Sequence, residues 1–216
     1  MIKLLEKLPR TLYVACSGGV DSMAALDFLR RNHQVGVAFF DHGTDTSRDA
    51  LAFIRPYCET NDISLSIGSI TRDRLKTESL EEYWRVQRYG FLDSLQETVV
   101  TAHHLDDAVE TWVWSSLHGQ SKLPHIRRGN VVRPFLGTRK HELRNWCIYR
   151  NIPWIEDASN EKLEFTRNYI RKEMMPHILR VNPGIYKTVR KKLQDQRRLL
   201  HNARETNETK RLFRWI

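Results

Sequence analysis

The stretch Thr11-Leu-Tyr-Val-Ala-Cys16, followed by Ser17-Gly18-Gly19-Val20-Asp21-Ser22, decides the fold. Its first six residues read as a buried strand. Asp21 to Asn32 reads as a helix, with Met23, Leu26 and Leu29 on one face. Between strand and helix, two consecutive glycines let the backbone turn tightly and bring its N–H groups close to a ligand. The helix N-terminus adds its dipole, so the loop is an anion cradle suited to phosphate or pyrophosphate. Ser17 and Ser22 add hydroxyl donors. A carboxylate at Asp21 would repel phosphate unless Mg²⁺ or another cation bridges the two, which makes Asp21 the candidate Mg²⁺ ligand. A Walker loop needs Gly-Lys-Ser/Thr, and that triplet is absent, so an ordinary ATPase is disfavoured.

Outward from this loop, strands and helices alternate. Gln34 to Phe40, Ile63 to Ile67 and Thr98 to Ala102 read as strands; Ser47 to Asn61, Leu80 to Leu95 and Asp106 to Leu117 read as helices. That order predicts an α/β fold, a doubly wound parallel sheet with helices on both faces and its site at the carboxyl ends of the strands. Residues 119–130 read as a polar, basic loop, and Val131 to Leu136 as a short fifth strand kept to an edge or end by Pro134. Thr138 to Arg150 reads as a basic helix, residues 155–165 as a loop, and Thr166 as the start of a helix stopping near Pro176. Asn182-Pro-Gly begins the last helix. The expected division is a catalytic domain over residues 1–137 and a basic helical extension over 138–216. Trp112, Trp114, Trp146 and Trp154 are expected in the core.

The 216 residues carry 35 Lys and Arg against 26 Asp and Glu, a net charge of +9. The charge is uneven. Residues 178–216 hold 11 basic and 3 acidic side chains, and residues 122–150 hold 8 and 1. Two basic regions beside an acidic body suggest a polyanionic partner, nucleic acid ahead of a membrane surface. Lys187, Arg190, Lys191, Arg197 and Arg198 recur at helical spacing, and Arg167 and Arg171 share a helix face; all seven are candidate RNA-backbone contacts. No apolar run reaches the ~20 residues of a membrane helix, and the first residues do not read as a signal peptide. Cys16, Cys58 and Cys147 form no CxxC pair, which fits a reducing cytoplasm.

A second cluster lies in Thr101-Ala-His-His-Leu-Asp-Asp-Ala-Val-Glu-Thr111. Asp107 and Glu110 are three apart on a helix and share a face. Such a pair suits Mg²⁺ or a substrate ammonium, with His103 and His104 just before it. The same residues permit a rival reading, a metal-dependent phosphoesterase with Asp41, His42, His103, Asp106 and Asp107 as ligands. That reading leaves the Ser-Gly-Gly loop and the basic half without a role.

Ser17-Gly18-Gly19-Val20-Asp21-Ser22 resembles the PP-loop of N-type ATP pyrophosphatases, whose fold is that of the adenine nucleotide alpha hydrolases. Its members cleave ATP between the α and β phosphates and adenylate a carbonyl oxygen. Within that group the chain is similar to tRNA(Ile)-lysidine synthetases. Their His-His-x-Asp-Asp-x-x-Glu-Thr motif is matched at 103–111. Leu80-Glu81 with Arg85, Arg88 and Tyr89 resembles another of their segments, as does Arg133-Pro134-Phe-Leu. Glu156-Asp157-Ala-Ser159-Asn160, followed by Arg167-Asn168 and Arg171, completes the set.

The resemblance implies ligation of L-lysine to the wobble cytidine of tRNA(Ile) with a CAU anticodon, using ATP and Mg²⁺. It implies ATP contacts from Ser17, Gly18, Gly19, Val20, Asp21, Ser22 and Arg85. It also implies lysine held by Asp107 and Glu110, and catalytic roles for Asp21, His103 and Asp107. His103 is expected to carry protons or to contact the adenylated base. Many members continue into further tRNA-binding domains, so a short form is expected. Another PP-loop tRNA modification such as thiolation, and a non-catalytic tRNA-binding protein, are the alternatives.

Overall fold

The chain forms a six-stranded sheet in the order β3-β2-β1-β4-β6-β5. A computed structural model describes residues 2–156 and 166–205. The strands are β1 (Thr11–Ala15), β2 (Gln34–Asp41), β3 (Ser64–Ser69), β4 (Val99–Thr101), β5 (Arg127–Arg128) and β6 (Val131–Val132). Every pairing is parallel except β5 with β6. The helices are α1 (Val20–Arg30), α2 (Asp45–Thr60), α3 (Leu80–Ser94), α4 (Leu105–Leu117), α5 (Lys140–Arg150), α6 (Thr166–Tyr169), α7 (Met175–Val181) and α8 (Ile185–Glu205). Among the described residues no helix is long and apolar enough to cross a membrane.

Alternation along β1 explains the two-sided winding. Leu12 and Val14 point into a core with Met23 and Leu26 of α1, Ile54 of α2, and Leu143 and Cys147 of α5. Tyr13 and Ala15 point the other way, toward Tyr89 and Leu92 of α3. The chain leaves β1 for β2 on one side and returns at β4 on the other. That reversal opens a crevice beyond the carboxyl ends of β1 and β4, where ligands of such sheets bind.

A third cluster joins Leu105, Val109 and Val113 of α4 to Ile185, Val189 and Leu193 of α8. The last three recur every four residues, the stripe by which α8 is fastened. Because α5 shares the core of α1, packing runs through the boundary expected at residue 137.

Four expectations change. The loop over 119–130 ends in β5, which makes a tight hairpin with β6 around Gly129, at φ +58°. The fifth strand shrinks to Val131–Val132 and gives way at Pro134 to a short 3-10 turn, Pro134–Gly137, because proline supplies no N–H to a ladder. The helix opened by Thr166 does not stop near Pro176. A π-turn over Ile170–Met174 widens the backbone, and the Met175 N–H bonds to the Ile170 carbonyl. Pro176 then sits in the first turn of α7, where its missing N–H costs little. Of the tryptophans, Trp112, Trp146 and Trp154 pack against the cores. Trp114 is exposed and stacks on His118.

Candidate active site

The glycine loop follows β1. Gly18 has φ +80°, a conformation side chains rarely adopt. A methyl group there would also press on Ile155 at 3.1 Å. Ile155 in turn donates its N–H to the Gly18 carbonyl at 3.0 Å, so the segment after α5 braces the loop. A methyl at Gly19 would meet only the Ser17 hydroxyl, at 3.6 Å, leaving that side open to a ligand. Ser22 departs from its expected role. Its buried hydroxyl donates to the Gly19 carbonyl at 2.9 Å and accepts the Ser17 N–H at 3.2 Å. It shapes the loop from within, and its proton is not offered to a ligand. Val20 opens α1 and presents its backbone at the loop.

Asp21 stands in the first turn of α1. Its Oδ2 lies 3.5 Å from His104 Nε2 and 3.6 Å from Lys140 Nζ. Its Oδ1 is buried with no hydrogen-bond partner. An orphaned carboxylate oxygen beside a phosphate cradle fits Mg²⁺, which takes one or two carboxylates and completes its shell with water and phosphate oxygens.

His104 connects the two predicted motifs. It is the N-cap of α4: its Nδ1 accepts the Asp107 N–H at 3.2 Å, and Asp107 Oδ2 accepts the His104 N–H at 2.9 Å. This reciprocal pair is a capping box with histidine in place of serine. Burial opposes a charge on the ring. The carboxylates of Asp107, Asp21 and Asp106 outweigh it and raise the pKa. His103 is half-buried, with Nδ1 2.8 Å from the Thr101 hydroxyl.

Glu110, one turn further along α4, is buried. Arg171 grips it with two hydrogen bonds of 2.7 and 3.0 Å and lies 3.6 Å from Asp107. Arg171, a candidate RNA contact by sequence, is thus turned inward onto the acidic pair. The Arg167 side chain, and Asp157, Ser159 and Asn160 with their segment, lie outside the described residues.

Asp106 has a structural task. It accepts from the Arg139 Nε at 3.2 Å and from the Lys140 backbone N–H at 2.8 Å, fixing the start of α5. Among the described residues no group of three or more His, Cys, Asp or Glu is placed to hold a metal, and Asp106 is committed to α5, which weighs against the phosphoesterase reading. Arg85 sits on the exposed part of α3 in a two-bond fork with Glu82, both at 2.7 Å.

His42, after β2, packs between Phe40 and Trp84. Burial, then the nearby Arg88 guanidinium, lowers its pKa to about 4. The folded state therefore binds fewer protons than the unfolded state between about pH 6.5 and 4, so stability falls with acid through that window. Replacing His42 with Phe should flatten the loss measured by urea unfolding between about pH 7 and pH 5. An unchanged slope would show that His42 is not the group responsible.

On α8, Lys187, Lys191 and Arg198 point away from the Ile185–Val189–Leu193 stripe and are exposed. Lys192 and Arg197 are also exposed, on the flanks. Arg190 is not part of that outer face: its Nε donates to the Gly137 carbonyl at 3.1 Å, which ties α8 to the turn before α5.

A parallel α/β sheet with a glycine-lined phosphate cradle at its switch point defines a nucleotide-binding protein of the PP-loop class. The chain belongs to the PP-loop domain family, whose model matches residues 2–178. It is similar to the tRNA(Ile)-lysidine synthase of Porphyromonas gingivalis, 32% identical over 200 residues, covering 85% of this chain and 44% of that protein. The tRNA(Ile)-lysidine synthase of Nitrosomonas europaea is 32% identical over 196 residues, covering 82% and 43%. The bifunctional protein TilS/HprT of Listeria innocua is 30% identical over 198 residues, covering 81% and 30%. The chain thus spans less than half the length of these curated relatives.

Proposed function

We propose that the chain uses ATP and Mg²⁺ to join L-lysine to the wobble cytidine of tRNA(Ile) with a CAU anticodon. The observation that carries this reading is the meeting of the glycine loop with the acidic start of α4, through His104 set between Asp21 and Asp107. One motif suits polyphosphate, the other an amine, and a single buried imidazole spans them.

The chemistry follows from the poor leaving group at the cytidine 2-carbonyl. That oxygen attacks the α-phosphorus of ATP, the α–β bridging bond breaks, and pyrophosphate leaves. The lysine ε-ammonium gives up a proton, and its nitrogen attacks the activated ring carbon. The carbon–oxygen bond then breaks, AMP departs with its electron pair, and the added nitrogen loses a further proton. The loop's backbone N–H groups at Gly18 and Gly19 hold the polyphosphate, and Asp21 would hold Mg²⁺, which when bound neutralises phosphate charge. Asp107, with 14% of its side chain exposed against 3% for Glu110, is the carboxylate an incoming ammonium reaches. Glu110 acts behind it by holding Arg171. His103, half-buried just before α4, is the group assigned to take the proton from the amine.

The cysteines support ligation over thiolation. Cys16 is buried and its pKa is raised by burial; burial also pushes Cys58 up to about 11 and Cys147 up to about 12. Such thiols make poor sulfur carriers.

The two half-reactions separate the roles of the residues. Asp107→Asn and Glu110→Gln should reduce lysine incorporation into tRNA far more than tRNA-dependent exchange of labelled pyrophosphate into ATP. Equal loss of both steps would move these carboxylates to the nucleotide. The outer face of α8 is assigned to the RNA backbone. Changing Lys187, Lys191 and Arg198 to Glu should weaken all tRNAs alike. It should also flatten the log–log salt dependence by about 0.7–0.9 for each phosphate that the helix no longer neutralises. Unchanged affinity and slope would remove α8 from the interface.

A further inference from the structure

We infer that Lys140 is the phosphate-binding cation of this site, resting on Asp21 when the loop is empty and passing to the pyrophosphate portion of ATP when it is filled. The inference rests on the nucleotide reading above and adds a substrate contact to it. The glycine loop has no lysine of its own. A polyphosphate carries more negative charge than backbone N–H groups and one divalent cation neutralise. A fixed side-chain cation next to the cradle is therefore expected on electrostatic grounds.

Lys140 has the required position. It is the first residue of α5, and α5 packs along α1, which the loop opens into. Its ammonium lies 3.6 Å from Asp21 Oδ2, beyond hydrogen-bond distance, and its side chain is 37% exposed. A loose, half-exposed pair of this kind is worth little and is given up at little cost. Its backbone, in contrast, is fixed. The Lys140 N–H donates to Asp106 Oδ2 at 2.8 Å, and Arg139 beside it holds the same carboxylate. The Arg139 guanidinium also stacks 3.3 Å above the Tyr186 ring of α8. The backbone is thus anchored while the ammonium is held only loosely.

The exchange also accounts for Asp21. Departure of Lys140 takes one cation off Oδ2, where His104 stays, and leaves the orphaned Oδ1 to face a metal. In the empty site the same ammonium balances a carboxylate that would otherwise repel incoming phosphate.

Calorimetric titration of the whole chain with inorganic pyrophosphate, AMP and ATP in the presence of Mg²⁺ tests this. Lys140→Met, which keeps the length of the stem, should weaken pyrophosphate and ATP binding about 10- to 100-fold. AMP binding should change by less than about threefold, since AMP lacks the leaving phosphates. Lys140→Arg should restore pyrophosphate binding to within about tenfold of the parent. Retained AMP affinity in Lys140→Met shows that the variant is folded. Undiminished pyrophosphate binding by Lys140→Met, or equal loss of pyrophosphate and AMP with no rescue by arginine, overturns the inference and leaves the nucleotide reading standing. Failure of the unaltered protein to bind ATP or pyrophosphate overturns both.

Discussion

Arg171→Leu should cost about 3 kcal/mol of folding stability, at the low end of what breaking a buried ion pair costs, because the guanidinium is 31% exposed. Glu110 is 3% exposed, and that guanidinium holds it with two hydrogen bonds. Removing that cation strips two charge-assisted hydrogen bonds from a carboxylate in a nearly dry site between α4 and the helical run after Thr166. Urea unfolding of the single variant and of the double variant Arg171→Leu with Glu110→Leu separates charge from packing. The double variant should recover most of the lost stability, since replacing a whole buried pair with apolar side chains is near neutral. A double variant no more stable than the single would mean that Arg171 acts by packing α6 and the π-turn onto α4.

Asp21→Ala should have the opposite profile, with ATP cleavage reduced at least about 100-fold and the fold little altered. The side-chain contacts of Asp21 to His104 and Lys140 are long. Its Oδ1 is orphaned, and its Oδ2 stands 3.5 Å from His104 and 3.6 Å from Lys140. Its partly exposed first-turn position puts the stability change within about 1 kcal/mol. Release of AMP from labelled ATP, measured with thermal unfolding of the same preparation, checks both halves. Loss of activity with a matching loss of fold would make Asp21 a structural residue. Full activity would remove Asp21 as the Mg²⁺ ligand.

The glycine loop is legible in the sequence because its signals are local. A strand, the loop Ser17-Gly18-Gly19-Val20-Asp21-Ser22 and a helix start, read together, point to a phosphate cradle. The sheet is legible for the same reason, since apolar runs alternate with helical faces up to residue 117. What escapes reading depends on distant residues. The inward turn of Ser22 depends on the φ of Gly18, which folds the loop back over it. Lys140 and Asp106 are separated by 34 residues and meet because α4 and α5 both begin at the crevice; the sequence shows one as part of a basic helix and the other as a candidate metal ligand. Arg171 reads toward RNA because its charge is visible and its buried partner 61 residues away is not. The role of His104 has a local signal: Asp107 stands three residues after it, the spacing of a capping box. Pro176 reads as a helix stop because a π-turn ahead of a proline has no simple sequence signature.

The proposed activity is tested most directly by one incubation of the protein with ATP, labelled lysine and tRNA carrying a CAU anticodon, followed by nucleotide separation and nucleoside mass analysis. The expected result is a single lysine-modified cytidine, with AMP and pyrophosphate formed in equal amounts to it. ADP and phosphate as the nucleotide products, or AMP formed with no lysine on the tRNA, would contradict it.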